Sequence, residues 1–171
     1  QVEAPVQAVA GMDTVLCESA ELAVLGSAQE GGSWSGPGIA DANTGVIDLA
    51  ELLPGHHDLV YHLGEGSCAT SDTMVWEVLE NPTVFLSTEG SLACDGDTVW
   101  LEAYAGGGTI DATGEYQFDW SSDVNFGTSG APFVMVIASA SMIAVELMVT
   151  DDAGCQDDAV AFVTPIALPD A

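Results

Sequence analysis

Four cysteines are the most reactive side chains in this sequence of 171 residues: Cys17, Cys68, Cys94 and Cys155. Such thiols form disulfides or hold zinc. Zinc fits poorly, because no pair is spaced C-x-x-C and the histidines do not cluster near the cysteines. Disulfides remain, and four cysteines allow three pairings. Carboxylates are the second resource. Asp95 and Asp97 lie beside Cys94, while Asp151, Asp152, Asp157 and Asp158 bracket Cys155. Loop aspartates that converge supply the six to eight or so oxygens that calcium takes. Solvated acidic turns are the plainer reading in a chain this acidic. Calcium is the one cofactor these residues suggest.

Catalysis is not expected. Paired carboxylates could in principle serve a glycosidase, but these acids sit in turn-like sequence with no Lys, Arg or nearby His to tune them. His56, His57 and His62 lie on one strand and its entry, so their side chains alternate between two faces. No Gly-x-Ser-x-Gly elbow occurs.

The elements that hold these residues must do so without cations. The chain has no Lys or Arg against 27 Asp and Glu, a formal net charge of −27. It cannot neutralise phosphates, so nucleic acid is excluded as a partner, and anionic membrane surfaces repel it. Schiff-base and P-loop lysines, bidentate arginine clamps and Lys–Asn isopeptide staples are all ruled out. Stability has to come from apolar burial, sheet ladders and covalent links. Such charge favours solubility and suits an exterior, saline setting. Hydrophobic residues make up an ordinary 48%, so acidity does not mean disorder. The longest apolar region, Ala131 to Val149, is broken by Ser139, Ser141 and Glu146 and reads as two strands, so no membrane insertion is expected. Gln1 reads as the start of a processed chain or an excised fragment.

Anchored on the cysteines, the sequence repeats itself. Cys17 is followed by the strand-like run Ala20 to Leu25, by Trp34, and by Cys68 after the alternating segment Asp58 to Leu63. Cys94 is followed by Thr98 to Ala103, by Trp120 and by Cys155. The Trp-to-Cys spacing is 34 residues in one copy and 35 in the other. The Cys-to-Trp spacing is 17 against 26, and the Gly106 to Gly108 region is expected to absorb the difference as a longer loop. Leu22 and Val24, Leu59, Tyr61 and Leu63, Val99 and Leu101, and Tyr116, Phe118 and Trp120 all sit at period two. The only helical signal is a single turn near Leu49 to Leu53. Short strands between Gly, Pro, Asp and Asn clusters predict an all-β chain of two tandem sandwiches, residues 1–81 and 82–171, divided at Pro82. Trp34 and Trp120 then fill the two cores, while Trp76 and Trp100 are open to either face. The repeat selects Cys17–Cys68 and Cys94–Cys155, one disulfide per domain. The second of these would draw the six aspartates to one edge. It also requires a shifted first strand, because both Cα atoms must lie within about 7 Å.

The motifs Gly32-Ser-Trp-Ser-Gly-Pro-Gly-Ile39, Gly45-Val-Ile-Asp48, Leu53-Pro-Gly55 and Gly66-Ser-Cys68 resemble the immunoglobulin-like repeats of Bacteroidota surface proteins. Cys94-Asp-Gly-Asp-Thr-Val99 and Val149-Thr-Asp-Asp-Ala-Gly-Cys155 resemble their PKD-like companions. The likeness covers essentially the whole chain, although family members usually carry some Lys and Arg, and an aromatic residue where His57 stands. It implies two tandem immunoglobulin-like domains, the second PKD-like, in a gliding-motility or other giant adhesin exported by the type IX system. It also implies O-glycans on the Asp-Ser/Thr-aliphatic pattern, hence at Thr14, Thr73 and Thr98. The expected function is a non-catalytic, stiff, acidic spacer or adhesion repeat at the cell surface. Expected partners are neighbouring copies or domains of the same protein, and glycans or a host or substratum surface. Two rivals stand beside it: a filament subunit joined by strand pairing through Gln1 to Ala10 and Thr164 to Ala171, and a carbohydrate-binding module of a secreted enzyme.

Overall fold

The computed structural model describes residues 6–20, 23–26, 30–89, 92–110, 114–122 and 130–166. The chain separates into two compact units, Gln1–Glu80 and Asn81–Ala171.

Unit 1 contains β1 (Thr14–Cys17), β2 (Ala23–Val24), β3 (Ser33–Ser35), β4 (Ile39–Asp41), β5 (Val46–Ile47), β6 (Gly55–Leu63) and β7 (Thr70–Leu79). Four strands form one sheet in the order β1-β7-β6-β3, and β2-β5-β4 form a second. The long pair β6–β7 carries the unit. Leu59 and Tyr61 on one strand, and Met74, Trp76 and Val78 on the other, are buried at every second position, as a one-sided sheet requires. Trp34 enters this core from β3 with its ring centroid 5.0 Å from that of Tyr61. Leu25, Ile47, Leu49 and Leu52 close the core from the second sheet and the 3-10 turn Leu49–Glu51. Asp48 caps that turn by accepting from the Ala50 N–H at 3.1 Å.

Unit 2 contains β8 (Pro82–Glu89), β9 (Leu92–Ala93), β10 (Thr98–Gly107), β11 (Gln117–Ser122), β12 (Phe133–Ile137), β13 (Ile143–Thr150) and β14 (Gln156–Pro165). Its sheets are β12-β10-β8 and β11-β13-β14-β9. Val99, Leu101, Val134 and Val136 from the first meet Trp120, Val145, Leu147 and Val163 from the second in one buried cluster. Ala131 to Val149 gives the two strands β12 and β13, as its interruptions predict. Among the described residues no helix is long and apolar enough to cross a membrane.

The four-stranded sheets match. In each, a short first strand runs parallel to the last strand: β1 to β7, with Cys17 opposite Leu79, and β9 to β14, with Ala93 opposite Pro165. This is the shifted strand that the expected disulfides needed, yet its register forbids them. Cys17 lies at the C-terminal end of β7, whereas Cys68 immediately precedes the N-terminal end in the 3-10 turn Gly66–Cys68. Ten residues of extended chain span on the order of 30 Å, far beyond the reach of a disulfide. Cys94, just after Ala93, and Cys155, just before Gln156, are separated in the same way along β14. Cys68 and Cys94, one from each expected pair, are free thiols. Neither Cys17–Cys68 nor Cys94–Cys155 forms.

Two smaller expectations also change. Gly106 and Gly107 are not loop but the end of β10, paired with Thr83 and Pro82. Gly108 follows at φ +67°, where a Cβ would stand 2.7 Å from an Asp151 carboxylate oxygen and 3.0 Å from the Pro82 nitrogen. The extra length of the second copy therefore lies beyond Gly108. The run Ala20 to Leu25 contributes only Ala23–Val24 as strand, and Leu22 is outside the described residues.

Candidate functional site

Alternation along β10 decides which side chains unit 2 offers to solvent. Val99, Leu101 and Ala103 point into the core, so Trp100, Glu102 and Tyr104 point out. The neighbouring strands add to this outward face. Phe85 stands opposite Tyr104, Met135 opposite Trp100, and both Phe133 and Ser87 opposite Glu102. Trp100 is 51% exposed, Tyr104 54%, Phe133 53% and Phe85 70%. The Trp100 and Phe133 rings lie 6.4 Å apart at 53°. The Tyr104 hydroxyl donates to Glu102 Oε2 at 2.7 Å. Ser87, Trp100, Leu101, Glu102, Tyr104 and Phe133 line a shallow pocket of about 360 Å³. Aromatic faces beside a carboxylate and a hydroxyl can stack on a flat apolar surface and accept hydrogen bonds from its rim.

Of this face the sequence names only Trp100, which, like Trp76, is open to either side. Phe85, Tyr104 and Phe133 went unnoticed. In β12 the alternation is between two apolar sets, Phe133, Met135 and Ile137 against Val134 and Val136, so hydrophobicity alone cannot say which set faces water. Pairing with β10 does.

The expected acidic cluster divides into two. Asp95 and Asp97 are beside Cys94, near one end of β14, and Asp151, Asp152, Asp157 and Asp158 are at the other. Six carboxylates do not converge, and among the described residues no group of three or more His, Cys, Asp or Glu is placed to hold a metal ion. The reason is the register that separates the cysteines. Several of these carboxylates have structural work instead. Asp97 Oδ2 accepts from the Cys94 N–H at 2.9 Å and closes the turn before β10. Asp157 Oδ2 accepts from the Val84 N–H at 2.8 Å, tying β8 to β14. Asp151 is 3% exposed. It accepts from Thr109 N–H at 2.7 Å, Cys155 N–H at 2.8 Å and Ala153 N–H at 3.0 Å, organising the turn into β14.

Trp34 and Trp120 are both buried; the Trp120 indole N–H donates to the Ala131 carbonyl at 2.8 Å. Trp76 is buried, with its indole nitrogen unpaired. Thr14, Thr73 and Thr98 are exposed. Of the two terminal segments, Ala8 and Ala10 are buried, and their N–H groups donate to Thr70 Oγ1 and Asp72 Oδ2 at 3.0 and 2.8 Å. Thr164 and Pro165 pair with β9. The described parts of both segments, residues 6–10 and 164–166, thus make hydrogen bonds within their own units; the rest of each lies outside the described residues.

Among solved structures, the chain is similar to the N-terminal eight immunoglobulin domains of Down syndrome cell adhesion molecule. The TM-score is 0.55 at 11% identity, over 91% of this chain and 26% of that one. The fold is immunoglobulin-like. Weaker likenesses are to the titin I-band fragment I67–I69 (TM-score 0.42, 16% identity, 95% of this chain and 65% of that one) and to the insect immune protein hemolin (TM-score 0.42, 11% identity, 95% and 47%). This chain thus spans about a quarter of the length of the adhesion molecule structure it matches. No protein-family model and no curated protein matches the sequence.

Proposed function

We propose that the chain is a non-catalytic structural repeat of an extracellular bacterial adhesin, of the Bacteroidota type that its motifs resemble, and acts as an acidic spacer and adhesion module. One observation carries the reading. The same four-strand order, with a parallel first strand beside the last, is built twice in succession from a chain without a single Lys or Arg. Carboxylates at −27 hold neighbouring surfaces apart, and apolar burial with sheet ladders holds each unit together. Exposed Thr14, Thr73 and Thr98 are its proposed O-glycan positions. Antibody labelling of intact source cells tests the location. Surface label, lost on external digestion with a protease that cuts at acidic residues, is expected; label only after lysis overturns the proposal. Intact mass of the secreted protein tests the glycans.

The outward face of β10 favours a second reading, a module that binds polysaccharide. Trp100, Tyr104 and Phe133 would stack on sugar rings, with Glu102 and Ser87 taking hydroxyl hydrogen bonds. Glycan-array binding should fall to background in Trp100→Ala with the circular dichroism spectrum unchanged. Undiminished binding by that variant, or no binding by the parent chain, removes this reading and leaves the spacer intact.

A further inference from the structure

Unit 2 carries no basic side chain of any kind: Asn81–Ala171 contains no Lys, Arg or His. The pocket on the outward face of β10 therefore offers a ligand only ring faces, the Glu102 carboxylate and neutral polar groups. The backbone adds little. β10 is the middle strand of its sheet, so its N–H and C=O groups serve the ladders to β8 and β12. A carboxylate has about four acceptor positions, and the Tyr104 hydroxyl takes one of those of Glu102 while holding it over the face. The Trp100 and Phe133 rings, 6.4 Å apart, are close enough for one ammonium to lie within about 6 Å of both centroids. Along β10, Trp100 and Tyr104 are about 13 Å apart, so the face is longer than a single sugar ring.

We propose that this pocket takes an amino sugar with a free, protonated amine, so that the polysaccharide bound by the face is a cationic one. This deepens the polysaccharide reading of the face, on which it rests, by naming the class and charge of the sugar. The apolar side of the sugar ring stacks on Trp100, and its ammonium lies against Glu102 and the Phe133 ring. An ammonium donates three hydrogen bonds and accepts none, which suits a pocket centred on a carboxylate. Uronic acids and sulfated sugars meet the reverse. They would set an anion against Glu102 in a unit with no cation to neutralise it, within a chain of net charge −27. N-acetylated sugars lose for another reason. Acetylation turns the ammonium into a neutral amide with one N–H and an acceptor carbonyl, and forfeits its attraction to the rings and to Glu102.

The test is isothermal calorimetry on the 171-residue chain, on E102Q and W100A, and on E65Q, which removes an exposed carboxylate of unit 1. Probes are the trimers of glucosamine, N-acetylglucosamine, glucose and galacturonic acid, and trilysine. Each is titrated at low and high salt and at mildly acidic pH, where the amines carry their protons. The parent chain should bind the glucosamine trimer roughly tenfold more tightly than the acetylated and glucose trimers, and the galacturonic acid trimer not at all. That preference should shrink with salt but persist. E102Q should abolish it, E65Q should keep it, and W100A should bind none of the sugars. Equal binding of the glucosamine and glucose trimers by the parent overturns the amino-sugar assignment and leaves the polysaccharide reading standing. A preference that survives E102Q, or that E65Q reduces equally, reports general attraction to the −27 charge and also overturns it. So does trilysine bound as tightly as the glucosamine trimer, since the ammonium is then recognised without the sugar. No binding of any sugar removes the polysaccharide reading, and the assignment with it.

Discussion

Strands β6–β7 and β13–β14 occupy the same places in their sheets, and their outward faces differ. The first pair presents His56, Asp58, His62, Ser71, Thr73 and Glu77, with Val60 and Val75 partly covered. The second presents Met148, Val160 and Phe162, each more than 40% exposed, beside Glu146 and Asp158. With β10 added, unit 2 has apolar side chains on both exteriors, while the long strands of unit 1 are polar outside. The inward residues fix the fold, and the outward ones are free to diverge. Exposed apolar side chains on the long strands therefore concentrate in unit 2. Unit 1 has a different problem. Its second sheet is built from strands of two and three residues, too short for a strong ladder. Side-chain hydrogen bonds to the backbone reinforce the first sheet instead. Thr70 and Asp72 take N–H groups of the first segment, Asp13 accepts from Val75 N–H at 2.8 Å, and the Tyr61 hydroxyl accepts from Gly32 N–H at 2.9 Å. With no Lys or Arg to pair with, Asp13 and Asp72 take backbone N–H groups as partners.

The comparison holds only if each unit has its own core, and core truncation is the strongest way to break it. Leu59 in unit 1 and Leu147 in unit 2 are 0% and 1% exposed. Replacing either by Ala should cost about 2–5 kcal/mol, from lost transfer energy and the cavity left behind. Differential scanning calorimetry should show Leu59→Ala lowering one transition and Leu147→Ala the other. A single shared transition displaced by both would mean that the units do not melt separately.

Much of this was legible in sequence, because period-two burial leaves a direct mark. Leu59 and Tyr61, Val99 and Leu101, and Phe118 and Trp120 were all assigned to strands, and all are buried. The disulfides were misread because equal spacing along a sequence does not measure distance in space. Cys17 and Cys68 bracket the same strand from opposite ends, and only the β1–β7 register reveals it. The acidic cluster failed with the disulfide that was to assemble it. The aromatic face was hidden by β12, where both faces are apolar and alternation carries no contrast.

Asp151 sharpens the comparison next. It is buried and accepts from three backbone N–H groups in unit 2, whereas Asp72 does a similar task in unit 1 with one. Asp151→Ala should cost about 3 kcal/mol, because buried donors lose their acceptor. Asp72→Ala should cost about 1 kcal/mol. Both removals relieve net negative charge, so a general repulsion effect would stabilise both variants. Chemical denaturation in high salt separates the two causes: equal losses, or a gain in either variant, would contradict the assignment.

The smallest effect concerns Asp41, on the surface of unit 1. Hydrogen bonds from the backbone N–H of Asn43, at 2.9 Å, and of Thr44, at 3.3 Å, hold its carboxyl below the ordinary value of 3.8. A depressed folded-state pKa means the unfolded chain takes up the proton first as pH falls. The contribution of Asp41 is therefore complete above 3.8 and is lost as pH drops from there through the folded value. Long-range charge effects are weakened by salt. The hydrogen bonds are local and should survive salt. A side-chain carboxyl NMR titration should therefore place Asp41 below 3.8 at both low and high ionic strength. Asp41→Asn should flatten the acid limb of stability by slightly lowering the plateau near neutral pH, with stability at the lowest pH unchanged. An Asp41 midpoint at or above 3.8 would show that the turn does not favour the carboxylate.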